Sequence, residues 1–116
     1  MEDELIRLLQ TFGYPVRRQG SLASDEEYPD TFFTFWNNEE SGHSFYDNVE
    51  VSATYEYAVN VYSRDPDSVY RLLSEARELL KINNWIIASR GYDVASDEIT
   101  HTGRGMVVIY LKTGGN

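Results

Sequence analysis

Residues 45–61 read FYDNVEVSATYEYAVNV, and apolar side chains occupy almost every odd position of this stretch. Polar residues hold most of the even positions, and the main break in the odd set is Asp47. Successive side chains of a β-strand point to opposite faces, so the alternation predicts a long strand with one face on a core and one face in water. The fold must therefore contain a sheet built around this stretch.

The length of this stretch does not fit a small globular domain. Its residues span about 55 Å when extended, whereas a compact chain of this size is only about 35 Å across. Two alternatives stay open. The segment bends or bulges near Asp47 and Asn48, or it projects as a hairpin arm together with residues 31–36. In an arm, the exposed strand edge is the place where a partner would bind.

Two amphipathic helices are predicted, one on each side of this strand region. Residues 2–12 carry apolar side chains at helical spacing, and Gly13 follows as a stop signal. Residues 66–82 carry a second apolar stripe, with Asp65 as N-cap and Pro66 as first helical residue. The other predicted elements are strands at 14–19, 31–36, 85–89 (alternatively a continuation of the second helix) and 106–111, a loop at 20–27, turns at 37–43, 91–92 and 103–105, and a frayed tail at 113–116.

The order of these elements predicts an α+β domain that comprises the whole chain. We expect a mainly antiparallel or mixed sheet of four to five strands, with two main helices packed on one face. The continuous apolar run at residues 106–111 predicts a central strand. A length of 116 residues suits one domain with its own core.

The chain is strongly acidic, with 19 acidic and 10 basic residues and a net charge of −9. Because phosphate contacts rely on Lys and Arg, we expect no specific nucleic-acid binding, although DNA could pass near an acidic surface without adhering. No run approaches the roughly 20 apolar residues of a membrane helix, and the acidic N-terminus lacks the features of a signal peptide. We therefore expect a cytoplasmic protein without membrane contact.

Catalytic and metal-binding signatures are missing from the sequence. The chain has no cysteine, and His43 and His101 stand at spacings from acidic residues that match no ligand motif, so both are predicted to be solvated loop residues. Residues 103–105 precede a strand rather than a helix, so they do not form a phosphate loop. Arg104 is predicted to be exposed in a turn, with a contact to an anion or a partner as the alternative. We expect no enzyme, no cofactor and no metal.

A pattern of aromatic residues and turns across residues 28–112 resembles a group of small prophage proteins of Gram-positive bacteria. The pattern consists of TFFTFW at 31–36, SFYDN at 44–48 and YEYAVNVYS at 55–63, followed by the helix start at Asp65 and the glycine-containing turns. These proteins are encoded among tail and head–tail joining genes, and they are similar to lambda-type tail terminator or tail completion proteins. The resemblance implies a mixed sheet flanked by helices, and a ring, often hexameric, that caps the tail tube and docks to the head connector.

The resemblance predicts a structural phage protein that leaves the host cytoplasm as part of the virion tail. Its implied partners are copies of itself and tail-tube or head-connector proteins. Because tyrosine is enriched at interfaces and a long strand can pair across subunits, the candidate interface residues are Phe45, Tyr46, Asp47, Tyr55 and Tyr57. Two alternatives stay open, namely a small-molecule-binding or enzymatic α+β domain and an acidic inhibitor that mimics DNA.

Overall fold

The computed structural model describes residues 2–19, 29–46, 49–89, 91–96 and 100–113, with the backbone alone for 39–46, 49–52 and 112–113. These residues form an α+β fold of two helices and one mixed sheet. The sheet has six strands, one more than the predicted maximum. The predicted loop at 20–27 and the last three residues of the predicted tail lie outside the described residues.

The elements follow one another in an order close to the predicted one. Their bounds are Glu2–Gln10 (α1), Val16–Arg18 (β1), Thr31–Tyr46 (β2), Val49–Ser63 (β3), Pro66–Ile82 (α2), Ile86–Ile87 (β4), Tyr92–Val94 (β5) and Thr102–Thr113 (β6).

Local capping signals place the helix ends. Asp65 is the N-cap of α2, its side chain accepts a hydrogen bond from the backbone N–H of Asp67 at 3.1 Å, and Pro66 is the first helical residue, as predicted. The helix stops before Asn84, whose φ of 71° lies in the left-handed region. Gly13, with φ 85°, plays the same part after α1. Neither described helix is long and apolar enough to span a membrane.

The sheet has the strand order β1-β2-β3-β6-β4, and β5 pairs with β6 further along the same edge. β1 runs parallel to β2, and every other described pair is antiparallel. β3 is central, because it pairs with β2 along its whole length and with β6 from Ser52 to Ser63. β6 lies between β3 and the short strands, which confirms the central position predicted from its apolar run.

The stretch 45–61 is not one strand. β2 and β3 form a long hairpin in which Tyr46 pairs with Val49, so Phe45 belongs to β2 and faces Glu50 across the ladder. The predicted turn at 37–43 is wrong, because those residues continue β2. Both alternatives hold in part, because the stretch is broken where β2 ends at Tyr46 and β3 begins at Val49, and β3 forms a hairpin with residues 31–36. The molecule measures 53 × 29 × 22 Å, and the long dimension matches a strand of sixteen residues.

A β-bulge explains why the sequence pattern of β2 is misleading. Asn37 pairs with Tyr57 but Glu39 pairs with Glu56, so Asn38 is an extra residue in the ladder. Before the bulge, the odd positions of β2 pair with odd positions of β3, and after the bulge the even positions do. The alternation is broken at this point, and the polar composition of 37–43 then suggests a turn. Pairing along the whole of β3 overrides that local preference.

The turn predictions at 91–92 and 103–105 are also wrong. β6 is longer than the apolar run at 106–111, and β4 and β5 pair with its edge. Gly91 precedes β5, in which Tyr92 pairs with Gly105, and residues 103–105 lie inside β6. The glycines of β6 are needed for close packing. A Cβ at Gly103 would lie 2.6 Å from the Tyr62 ring, and one at Gly105 would collide with Asn60 Oδ1.

The core lies on one face of the sheet, beneath both helices, as predicted. Burying one large apolar side chain stabilises a fold by about 1.5–3 kcal/mol, so this layer is the main source of stability. The helices contribute Leu5, Leu8, Leu9, Val69, Leu72, Leu73, Ala76 and Leu80, and the strands contribute Phe33, Phe35, Tyr57, Val59, Val61, Met106 and Val108.

We expect Gly105→Ala to lower the free energy of unfolding by about 1–3 kcal/mol, because the new methyl group overlaps the amide of buried Asn60. The double variant Gly105→Ala/Asn60→Ala should recover part of this loss, since it removes the overlapping atoms. Urea denaturation followed by circular dichroism measures both values. If Gly105→Ala lowers the free energy of unfolding by the same amount in the original chain and in the Asn60→Ala variant, Gly105 does not pack closely against the Asn60 amide.

Candidate assembly surface

The face of the sheet turned away from the helices carries apolar side chains in the half of the molecule near β4. Trp36 is 52% exposed, Ile86 47% and Leu111 50%, and none of them belongs to the core cluster. Cross-strand pairing places half-buried Ala58 and Val107 beside Trp36, and half-buried Ile109 beside Ile86. We call these six residues the uncovered face: Trp36, Ala58, Ile86, Val107, Ile109 and Leu111.

The other half of the same face is covered. Phe32 stacks on Tyr62 with ring centroids 5.2 Å apart and meets His101 edge-on at 6.0 Å. His101 is only 7% exposed, so the prediction of a solvated loop histidine is wrong for this residue. Its Nε2 lies 2.8 Å from the Pro29 carbonyl, which can only accept, so Nε2 carries the proton. The side chain of His43 lies outside the described part of the chain.

Both lateral edges of the sheet have backbone without a described partner strand at the hairpin end. On one side, β1 pairs with β2 only as far as Phe35, whose carbonyl also accepts from the Gln19 N–H at 2.8 Å. On the other side, β4 pairs with β6 only as far as Ile109. Within the described ranges, no strand pairs with the outer side of residues 38–46 (the β2 edge) or 111–113 (the β6 edge). Such edges are templates for pairing with another chain.

The predicted interface residues are distributed between the hairpin tip and the core. Phe45 and Tyr46 form the last backbone pairs of β2, and Asp47 lies outside the described residues. Tyr55 is half-buried and packs against the core. Tyr57 is 1% exposed, with its ring edge-on to Trp85 at 6.1 Å, so it has no surface to offer a partner.

Arg104 lies in β6 on the helix side of the sheet, and only 26% of its side chain is exposed. The prediction of an exposed turn residue is therefore wrong. Its Nη1 donates to Asp93 Oδ1 at 2.8 Å, and its guanidinium lies 5.0 Å from the centre of the Tyr70 ring. Because Asp93 already balances the charge, Arg104 joins β6 to β5 and α2. Its contact with an anion or a partner stays a prediction.

Two grooves bear on the alternative of a small-molecule site. The larger, of 450 Å³, runs between the end of α1 and the outer side of α2, and Phe12, Leu79 and Ile82 line it together with solvent-facing Glu75 and Glu78. The smaller, of 360 Å³, lies beside Trp85 and β4. Both open to the surface, and no group of three or more metal-ligating side chains occurs in the described part of the chain. Neither groove gathers buried polar groups around a common point, which a specific small-molecule site needs.

The residues of the uncovered face were not identified from the sequence, although one signal for it exists. Residues 31–36 carry large apolar side chains on both faces, since Phe33 and Phe35 alternate with Phe32 and Trp36. A strand with water on one side does not have this pattern, so it indicates that both faces of β2 make contacts. Ile86 and Leu111 gave no comparable signal, because short apolar runs look the same in buried and exposed strands.

Comparison with known proteins leaves the family open. No protein-family model matches the chain, and no curated protein matches it. Functional inference therefore depends on the geometry of the uncovered face and the two edges, and on the aromatic pattern described above.

We expect Arg104→Ala to lower the free energy of unfolding by about 1–2 kcal/mol, because it removes an ion pair and a cation–π contact together. Arg104→Lys should recover only part, since an ammonium lacks the planar stacking surface. Arg64→Ala is the matched control. It removes an ion pair with Asp30 at 2.9 Å in which both side chains are more than half exposed, and it should change stability by less than about 0.5 kcal/mol. Urea denaturation measures all three variants, and equal effects of the two alanine variants would contradict the joining role.

Proposed function

We propose that this chain is a structural subunit of a phage or prophage tail or head–tail joining region, of the tail terminator or tail completion type. In this proposal, it assembles with copies of itself as a ring and then meets tail-tube or head-connector proteins. The observation that carries the proposal is the uncovered apolar face beside two open strand edges. Large exposed apolar patches with polar surroundings are typical of protein–protein contact sites.

The shape of the subunit supports an assembly role. Along β2, the core cluster ends at Phe35, and along β3 the fully buried core residues begin at Tyr57. The hairpin continues beyond both residues to the pair formed by Tyr46 and Val49. We call residues 39–46 and 49–56 the arm. β6 pairs with the arm as far as Ser52, so only the tip of the described arm is two-stranded. A two-stranded hairpin is at best marginally stable in water, so this tip would gain stability from a neighbouring subunit.

The distribution of charge supports the same role. The acidic residues of α1 and α2, such as Asp3, Asp67, Glu75 and Glu78, lie on the helix side of the molecule and are exposed. The six residues of the uncovered face are apolar, but half-buried Glu56 lies among them, across from Ile109 and two residues from Ala58. Interface centres are depleted in charge, so copies can meet on this face with Glu56 as a charge to accommodate, while the carboxylates of the helix side stay in solvent.

We expect the purified chain to form a defined oligomer whose population rises with concentration, seen by light scattering after size-exclusion chromatography and as rings in negative-stain micrographs. Trp36→Ser should weaken association about tenfold or more, because buried tryptophans dominate interface energies. Ile82→Ser is the matched control, since Ile82 is 78% exposed on α2, away from the uncovered face. A chain that stays monomeric at high concentration and does not bind a tail-tube protein would overturn the proposal.

A further inference from the structure

We infer that neighbouring copies meet face to edge, and that Arg17 on β1 of one copy forms an ion pair with Glu56 on β3 of the next. The partner of the uncovered face is therefore a second copy of this chain, which approaches with the outer side of residues 16–18 (the β1 edge). This inference rests on the proposed function and names the residue that the neighbour supplies to the same surface. Each copy uses its uncovered face toward one neighbour and its β1 edge toward the other.

Glu56 is a charged side chain within an otherwise apolar region. It is half-buried, and the strand register places it between Ile109 on β6 and Glu39 on β2, so no cation stands directly across the ladder on either side. Its carboxylate has no ion-pair partner among the described residues. A neighbour that covered the face would therefore remove water from a charge that its own subunit leaves unpaired.

The charge of Glu56 determines which surface can cover the face. A desolvated carboxylate without a partner is strongly unfavourable, whereas a carboxylate that meets a cation is accommodated at an interface. Two copies that met through the same face, about a two-fold axis near its centre, would bring the two Glu56 carboxylates together. The covering surface is therefore a different one, and it presents a lysine or an arginine.

Few exposed cations of the described chain are available for this contact. Ion pairs within the subunit hold Arg18, Arg64, Arg71, Lys81 and Arg104. Of the other exposed cations in the described part of the chain, Arg7 and Arg17 have no acidic side chain within ion-pair distance. Arg7 lies one turn after Asp3 and Glu4 on α1, so a carboxylate that approached it would also meet like charges.

Arg17 suits a contact with an apolar face that contains one carboxylate. It is exposed, and its pairing with Thr34 places it on the same side of the sheet as Trp36. No acidic residue occurs in the sequence between positions 5 and 24, and exposed Pro15 and half-buried Val16 precede it. Arginine is enriched at interfaces, and its planar guanidinium can bind a carboxylate through two hydrogen bonds.

Arg17 and Glu56 of one copy are too far apart to satisfy each other. Arg17 is level with Asn60, because both pair with Thr34. Glu56 therefore lies two strands across and four residues along the sheet from Arg17, at a distance of about 16 Å between Cα atoms. The ion pair is available only between copies.

A face-to-edge contact leads to a ring rather than to a continuous sheet. The neighbour lies over the face and outside the plane of the sheet, so it does not compete with β1, β4 and β5 for the sides of β2 and β6. The contact joins two different surfaces, and such heterologous contacts generate rings when the rotation closes. Because an edge set against a face turns each sheet by a large angle from the next, a small number of copies completes the circle.

Charge reversal tests the ion pair. Glu56→Lys and Arg17→Glu should each weaken association about tenfold or more, because each variant places like charges opposite one another. Glu56→Lys moves the net charge of −9 toward zero, which by itself favours association of acidic chains, so a weakening would come from the local contact. The matched controls Glu75→Lys and Arg7→Glu change the charge equally at exposed positions and should alter association less than about twofold.

Rescue identifies the partner residue. The double variant Glu56→Lys/Arg17→Glu should regain most of the association, since opposite charges face each other again at every contact. A mixture of Glu56→Lys chains with Arg17→Glu chains should also assemble, because every contact between unlike chains joins opposite charges. Glu56→Lys/Arg7→Glu should stay weak. Light scattering after size-exclusion chromatography measures the assemblies, and circular dichroism confirms that each variant is folded.

The outcomes separate the ion pair from the ring. Rings that persist in both charge-reversal variants, or a rescue by Arg7→Glu in place of Arg17→Glu, would overturn the ion pair and leave the proposed function standing. A rescued assembly that stops at a dimer, like that of the original chain, would support the ion pair and overturn the ring. An original chain that stays monomeric would overturn the ion pair, and if it also failed to bind a tail-tube protein it would overturn the proposed function.

Discussion

The fold depends on a mismatch of lengths between the strands and the helix that covers them. β3 has fifteen residues and α2 has seventeen, but a strand advances about 3.3 Å per residue and a helix only about 1.5 Å. A helix of this length therefore covers roughly half of the strand beside it. The core forms where helices and strands overlap, and neither described helix extends over the tip of the hairpin.

This mismatch links the fold to the proposed role. A sheet that is longer than its helical cover exposes apolar side chains and backbone edges together, at one end of the molecule. In an isolated protein, such an end is an aggregation hazard, and natural sheets protect it with charges, bulges or short strands. Here the described edges adjoin the uncovered face, which suits the use of this end as the proposed interface.

Local signals in the sequence were sufficient for the helices and for the fold class. Asp65 and Pro66 determine the start of α2 within one turn, and the run at 106–111 indicates a strand with neighbours on both sides. The hairpin was not predictable in the same way, because its register depends on a bulge at Asn38 and on pairing with a strand far along the chain. Gly103 and Gly105 look like turn residues in sequence, but they are required by Tyr62 and Asn60, which contact them only after the sheet forms. The same limit applies to the assembly surface. Tyr57 and Trp36 are both aromatic residues in apolar strand segments, yet Tyr57 is 1% exposed and Trp36 is 52% exposed.

The bulge at Asn38 also sets how the hairpin can change during evolution. Because it shifts the parity of β2, every position beyond it belongs to the sheet face opposite to the one that simple alternation would assign. A ladder that kept Asn38 but paired it with Glu56 would exchange the two faces along residues 39–46 while leaving the pairs from Thr31 to Asn37 in place. A change that favours the regular ladder over the bulge could therefore give residues 39–46 a new contact surface without disturbing the pairs from Thr31 to Asn37.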